Sequence, residues 1–190
     1  MALKSDKYIY LVFSKTGTLL SKAILNITKN YYSHVSLSLD SSLTEMYSFG
    51  RINPDNPLFG GLIRENIYNG VFKNFTNSEC IVYKVKISNY QFYKLQKEIN
   101  TFLSEQSKYK YNILGLVLLL MDKPLKRKYY YFCSQFVSEL LIKSSIYKSD
   151  KPAELISPND LMLSINNKEF IYEGLVHSYE TLDTNYNSVI

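Results

Sequence analysis

The sequence changes periodicity at one point, and that change limits the folds open to it. Tyr129-Tyr130-Tyr131-Phe132 is extended, aromatic and β-favouring. From Cys133 onward the apolar positions Cys133, Phe136, Val137, Leu140 and Leu141 fall at i, i+3, i+4, i+7 and i+8, the stripe of an amphipathic helix packed on a core. Cys133 therefore begins a helix that follows a strand. Free amides and the positive end of the helix dipole favour a thiolate at such a position. The same amides can hold the oxyanion made when that thiolate attacks a carbonyl. A buried cysteine with no chemistry is the other reading, because Cys133 also lies on the core stripe.

A cysteine nucleophile needs a base, and the chain holds two histidines, His34 and His177. His34 lies in Tyr31-Tyr32-Ser33-His34-Val35-Ser36-Leu37-Ser38-Leu39-Asp40, which alternates like a half-buried strand. Val35, Leu37 and Leu39 share one face; His34, Ser36, Ser38 and Asp40 share the other. A strand histidine is often structural, but a face that is polar throughout is poorly explained as core filling. His177 stands near a polar end and reads as a surface residue.

An imidazole base also needs an acceptor at its far nitrogen. Asp40 shares the face of His34 but lies too far along the strand, at about 20 Å. Glu45 is better placed on the returning strand. If the hairpin pairs Leu39 with Ser42, then Ser36 faces Glu45 and His34 faces Tyr47. Glu45 is then diagonal to His34, about 7–8 Å between backbones. A slip of one residue would move Glu45 to the opposite face, where it is a surface glutamate.

Four stretches occur in a specific order: Ser33-His34-Val35-Ser36-Leu37-Ser38-Leu39, Tyr47-Ser48-Phe49-Gly50-Arg51, Gly60-Gly61-Leu62-Ile63-Arg64-Glu65, and Phe132-Cys133-Ser134-Gln135-Phe136-Val137. This arrangement resembles the circularly permuted, NlpC-type branch of the papain-fold cysteine hydrolases, and within it the YiiX-like bacterial proteins. The lecithin:retinol acyltransferase family is a more distant likeness. The resemblance spans roughly residues 8–165. It implies Cys133 as nucleophile, His34 as base and Glu45, by position, as the third polar residue. It also implies aromatics around the histidine, which makes Tyr32 and Tyr47 candidate substrate-binding residues, with packing as their alternative role. Tyr131 and Ser134, flanking the cysteine, complete that candidate set.

The expected fold is α+β: a small antiparallel sheet or partial barrel against helices, with the histidine strand before the cysteine helix. A length of 190 residues suits one domain, 1–190, with a core over about 8–176 and a polar tail. Hydrophobic residues at 46% and charged residues at 21% exclude a disordered chain. A net charge of +5 mildly favours anionic partners and is too dispersed to argue for nucleic acid. The densest basic run holds Lys123, Lys126, Arg127 and Lys128. It reads as a solvated loop, or as a lure for an acidic substrate or phospholipid headgroup. Cys80 and Cys133 suggest no disulfide framework. Without a Cys/His cluster no metal is implied, and no cofactor is expected. Met1 to Lys7 is polar, unlike a signal peptide, so a cytoplasmic location is expected.

Along the chain, strands are expected over Tyr8 to Phe13, Leu43 to Phe49 and Cys80 to Ile87, with an edge strand from Phe170 to Val176. Helices are expected over Leu19 to Thr28, Asn89 to Ser107 (capped by Ser88 or Asn89), Cys133 to Ser144, and a short one ending at Ile165. Residues 50–70 read as an irregular loop, in which Gly60-Gly61 would permit flexing over a cleft, with Arg64 and Glu65 organising the loop internally. The apolar run Ile113–Met121 is too short to span a bilayer. It reads as a buried helix, or else as an acyl-pocket wall or a membrane-docking surface.

The expected activity is a cysteine-dependent amidase or peptidase acting on a small peptide, possible cell-wall-derived peptides included, through a thioester. A lipid-directed acyl hydrolase or acyltransferase with peripheral membrane contact, and an inactive ligand-binding module, are the other classes. Oligomeric state is not legible.

Overall fold

The structure is a computed structural model and is described for residues 6–16, 31–51 and 60–179. The helix expected over Leu19 to Thr28 and most of the expected polar tail lie outside the described residues. The described strands are β1 (Lys7–Lys15), β2 (His34–Ser38), β3 (Met46–Arg51), β4 (Gly60–Glu65), β5 (Glu79–Ile87), the short β6 (Lys110–Tyr111) and β7 (Tyr130–Tyr131), and β8 (Lys168–Leu175). The helices are α1 (Val71–Asn74), α2 (Asn89–Ser104), α3 (Ile113–Leu119), α4 (Cys133–Lys143) and α5 (Pro158–Ser164).

Six strands form one sheet in the order β4-β3-β2-β1-β5-β8, with every neighbouring pair antiparallel. The fold is therefore α+β, with the histidine strand β2 preceding the cysteine helix α4. Alternation along the strands gives the sheet two apolar faces. Ile9, Leu11 and Phe13 of β1, with Val35 and Leu37 of β2, face the larger core. There they meet Leu95, Ile99 and Phe102 of α2 and Phe136, Val137, Leu140 and Leu141 of α4. Val12, Met46, Cys80 and Val82 face a smaller core completed by Leu43, Ile67, Phe72 and Val176. Each fully buried large side chain contributes about 1.5–3 kcal/mol relative to exposure. The core stripe of α4, including Phe136 at 0% exposure, fixes that helix on the sheet.

Helix α2 begins at a capping box. The Ser88 hydroxyl accepts from the Gln91 amide, and Gln91 accepts in return from the Ser88 amide. Of the two residues considered for that cap, Ser88 is the one used. Helix α5 starts the same way, at Ser157 and Asp160, with Pro158 in its first turn.

Two expectations are corrected. Residues 60–65 are strand, not loop: β4 pairs with β3 from Met46↔Glu65 to Arg51↔Gly60. The glycines there serve close packing rather than flexing. A Cβ on Gly60 would lie 2.6 Å from the Gly50 carbonyl oxygen and 2.7 Å from Tyr111 Cβ. The apolar run after Ile113 is not a buried helix either. Gly115 and Leu116 point inward, but Leu114, Val117 and Met121 are 53%, 48% and 57% exposed. No helix among the described residues is long and apolar enough to cross a membrane.

Strands β6 and β7 pair in parallel, Lys110↔Tyr130 and Tyr111↔Tyr131. They close the base of the excursion that carries α3 and the basic run, and β7 leads directly into Cys133.

Candidate functional site

His34 opens β2 and Cys133 opens α4, so the site forms where the starts of two elements meet. The Phe132 backbone is extended at the helix N-cap, and no side chain caps α4. The amides of its first turn have no intrahelical acceptor. In the same turn Ser134 Oγ and Gln135 Oε1 are buried without a hydrogen-bond partner in the protein.

The His34 ring joins two partners. Its Nε2 lies 3.1 and 3.0 Å from the two carboxylate oxygens of Glu65, and the Cys133 side chain is near enough to act on the charge of the ring. Ser36 steadies the carboxylate end: its hydroxyl donates to Glu65 and lies 3.2 Å from His34 Nε2. The side chains of His34 and Glu65 are 19% and 13% exposed, so their attraction is only partly screened.

Burial alone would strip the proton from His34. The Glu65 carboxylate and the Cys133 sulfur outweigh it and hold the imidazole pKa well above its ordinary 6.5. Burial likewise pushes Glu65 upward. The charge and hydrogen bond of His34, with help from Ser36, overcome that and hold the carboxyl below its ordinary 4.5.

Glu65 reaches His34 across β3, and β3 is shaped to allow it. The ladder puts Glu65 level with Met46 and Ile63 level with Ser48, so the crossing towards His34 passes over the small Ser48. Gly50 continues this: a Cβ there would strike Ile63 Cδ1 at 2.5 Å and come within 4.0 Å of His34 Cε1. The imidazole thus lies beside a position kept bare.

The residue expected to orient the histidine, Glu45, does not do so. It pairs with Arg64 at 3.3 Å on the surface, where its side chain is 46% exposed. The reason is register. A tight turn would pair Leu39 with Ser42, but β2 and β3 pair as Leu37↔Tyr47 and Ser38↔Met46, a displacement of three residues. An odd displacement exchanges the faces of the returning strand. The longer turn is held by side chains: Asp40 accepts from the Ser42 amide at 2.9 Å, and Ser38 Oγ donates to the Glu45 carbonyl at 2.8 Å. Leu43, with φ of 53°, is buried in the smaller core and draws the turn over it. Glu65 was visible in the sequence only as the end of a segment read as loop. The signal that could have found it is the alternation of Leu62 and Arg64 against Ile63 and Glu65.

The other candidates are placed as follows. Tyr32 is 5% exposed and its hydroxyl donates to Glu173 at 2.9 Å. Tyr47 is 7% exposed; burial, then the Glu45 carboxylate, push its phenol up to about 12. Tyr131 packs its ring against Phe49 and Phe102 and donates to Glu139 at 3.3 Å. These three pack in or against the larger core, the packing role given as the alternative for Tyr32 and Tyr47. Ser134 alone stays at the site, next to Cys133. His177 is exposed and takes no part. Cys133 itself is 3% exposed.

Comparison of the chain with protein-family models, with curated proteins and with solved structures returned no match. The functional reading therefore stands on the geometry just described.

Proposed function

We propose that this chain is a cysteine hydrolase of the permuted papain-like kind, cleaving a peptide-type amide through a thioester. The observation that carries the reading is the His34 imidazole held by the Glu65 carboxylate, with the Cys133 side chain near enough to raise its proton affinity. With Nε2 committed to the carboxylate, Nδ1 is the nitrogen left for the sulfur.

The chemistry follows from those assignments. His34 takes the Cys133 thiol proton, and the sulfur attacks the carbonyl carbon. The oxyanion that forms is held by free amides at the start of α4, that of Cys133 among them. The protonated His34 then gives its proton to the leaving amine as the C–N bond breaks. Water, deprotonated by the same ring, attacks the thioester and releases the acid, and the proton returns to sulfur. Glu65 keeps the ring oriented and stabilises its cation throughout, the role the sequence alone gives to Glu45. A sulfur exposed to only 3% requires neighbouring side chains to part before a carbonyl reaches it. Alkylation slower than that of a free thiol would report that opening.

A second reading uses the same thioester on a lipid acyl group, passed to water or to an amine or alcohol. The exposed apolar side of α3, beside the basic run that leads into β7, favours it. Incubation with a panel of short and γ-linked peptides and with phospholipids, followed by mass spectrometry, separates the two. A substrate-derived acyl adduct on the peptide containing Cys133 is expected, absent in Cys133→Ala. If no substrate class yields product or adduct, the hydrolase reading fails and a binding module takes its place.

A further inference from the structure

Helix α3 is apolar on every side, yet it is not buried on every side. A helix apolar all round normally lies inside a protein or a membrane. Here Gly115 and Leu116 turn inward while Leu114 and Val117, spaced i and i+3, and Met121 in the turn just past the helix, are 53%, 48% and 57% exposed. Leu118, Leu120 and Leu125 are half-exposed around them. A contiguous exposed apolar patch on a folded chain marks an interaction surface.

The rim of this patch is basic. Lys123, Lys126 and Lys128 are exposed, and Asp122 is the one acidic residue between 121 and 128. Lys126 is 80% exposed even with Glu154 at 4.0 Å. Arg127 lies over the Tyr130 ring at 3.7 Å and Lys128 over Tyr129 at 5.0 Å, so amphipathic tyrosines stand beside the cations. An apolar face ringed by lysines and tyrosines has the composition of a segment lying in a membrane interface with anionic lipid. A protein partner fits less well. Three well-exposed apolar side chains fall far short of the roughly 20–30 residues a side that a stable interface recruits.

We propose that α3 and the basic run after it form a docking surface for an anionic phospholipid membrane, with Leu114, Val117 and Met121 entering the headgroup–acyl boundary and Lys123, Lys126 and Lys128 meeting lipid phosphates. The pairing of β6 with β7 ties both ends of the excursion to the domain, so docking brings the start of α4 to the bilayer. The surface stands independently of any reaction at Cys133.

Flotation with vesicles of phosphatidylcholine alone, and of phosphatidylcholine mixed with phosphatidylglycerol, tests it. The protein is expected to float with the mixed vesicles, to lose binding as salt is raised, and to bind pure phosphatidylcholine weakly. Replacing Leu114, Val117 and Met121 by Gln should cut partitioning at least tenfold. Replacing Lys123, Lys126 and Lys128 by Gln should cost about fivefold per lysine. The lysine variant changes only exposed side chains, so it tests the surface even if the apolar variant folds poorly by circular dichroism. Cys133→Ala should float like the parent protein, which separates this outcome from the fate of the hydrolase reading. Three results would overturn the proposal: no flotation with anionic vesicles at low salt, equal flotation of the folded variants, or a concentration-dependent dimer that the same substitutions dissolve.

Discussion

Cys80 and Cys133 are buried to nearly the same depth, 0% and 3% exposed, but on different terms. Cys80 sits near the start of β5 among Val12, Met46 and Val82 in the smaller core. Burial alone pushes its thiol up to about 12, which leaves it protonated and inert. Cys133 sits at an uncapped helix start near the His34 imidazole, which a carboxylate holds. Depth does not separate the two cysteines; the groups around them do.

The sharpest way to break this contrast is to exchange the roles by mutation. Cys133→Ala should lower hydrolysis by at least about 10⁴-fold, while Cys80→Ala leaves turnover within about twofold of the parent protein. Equal losses measured on the two folded variants would mean that the contrast carries no chemistry. Glu65→Gln should cost about 10²–10⁴-fold in kcat/KM, as loss of a histidine-orienting carboxylate does, and Glu45→Gln almost nothing. The reverse ranking would restore the residue that position in the sequence favours.

The pH profile of Glu65→Gln sharpens the same point. The carboxylate helps the imidazole keep its proton above the ordinary 6.5, so its removal should move the alkaline limb of kcat/KM to lower pH. For stability, the raised histidine favours the folded state below pH 6.5 and loses that contribution as pH rises through its folded value. The lowered glutamate favours the fold above 4.5 and loses its share as pH falls below. Both contributions are therefore largest between those two ordinary values, and a pH series of melting curves on parent protein and Glu65→Gln should differ most there. The smallest effect reverses the first comparison: Cys80→Ala, silent in turnover, should cost about 1–2 kcal/mol of stability in urea unfolding through the small cavity it leaves.

The parts of this site that were legible in the sequence are those fixed locally. The alternation around His34 and the helical stripe after Cys133 each follow from backbone periodicity, and they put one side chain on a strand and the other at a helix start. Glu65 depended on a turn length that only Asp40, Ser38 and the burial of Leu43 decide. The glycines before it suggested loop where close approach of Gly60 to Tyr111 requires strand. The apolar run of α3 misled for a different reason. Composition states how well a segment tolerates burial, not whether neighbours suffice to cover it.

Glu65 is the last residue of β4, and among the described residues β4 ends the sheet, paired there with β3 alone. The charge that keeps His34 competent is thus carried by an outermost strand, the kind of element that opens first. Fraying of β4 would uncouple the carboxylate and draw Leu62 from the border of the larger core, while the five remaining strands of the sheet stay paired. Mild denaturant or warming should then silence the proposed hydrolysis before the spectroscopic signature changes, making turnover a fuse for the integrity of one border of the domain.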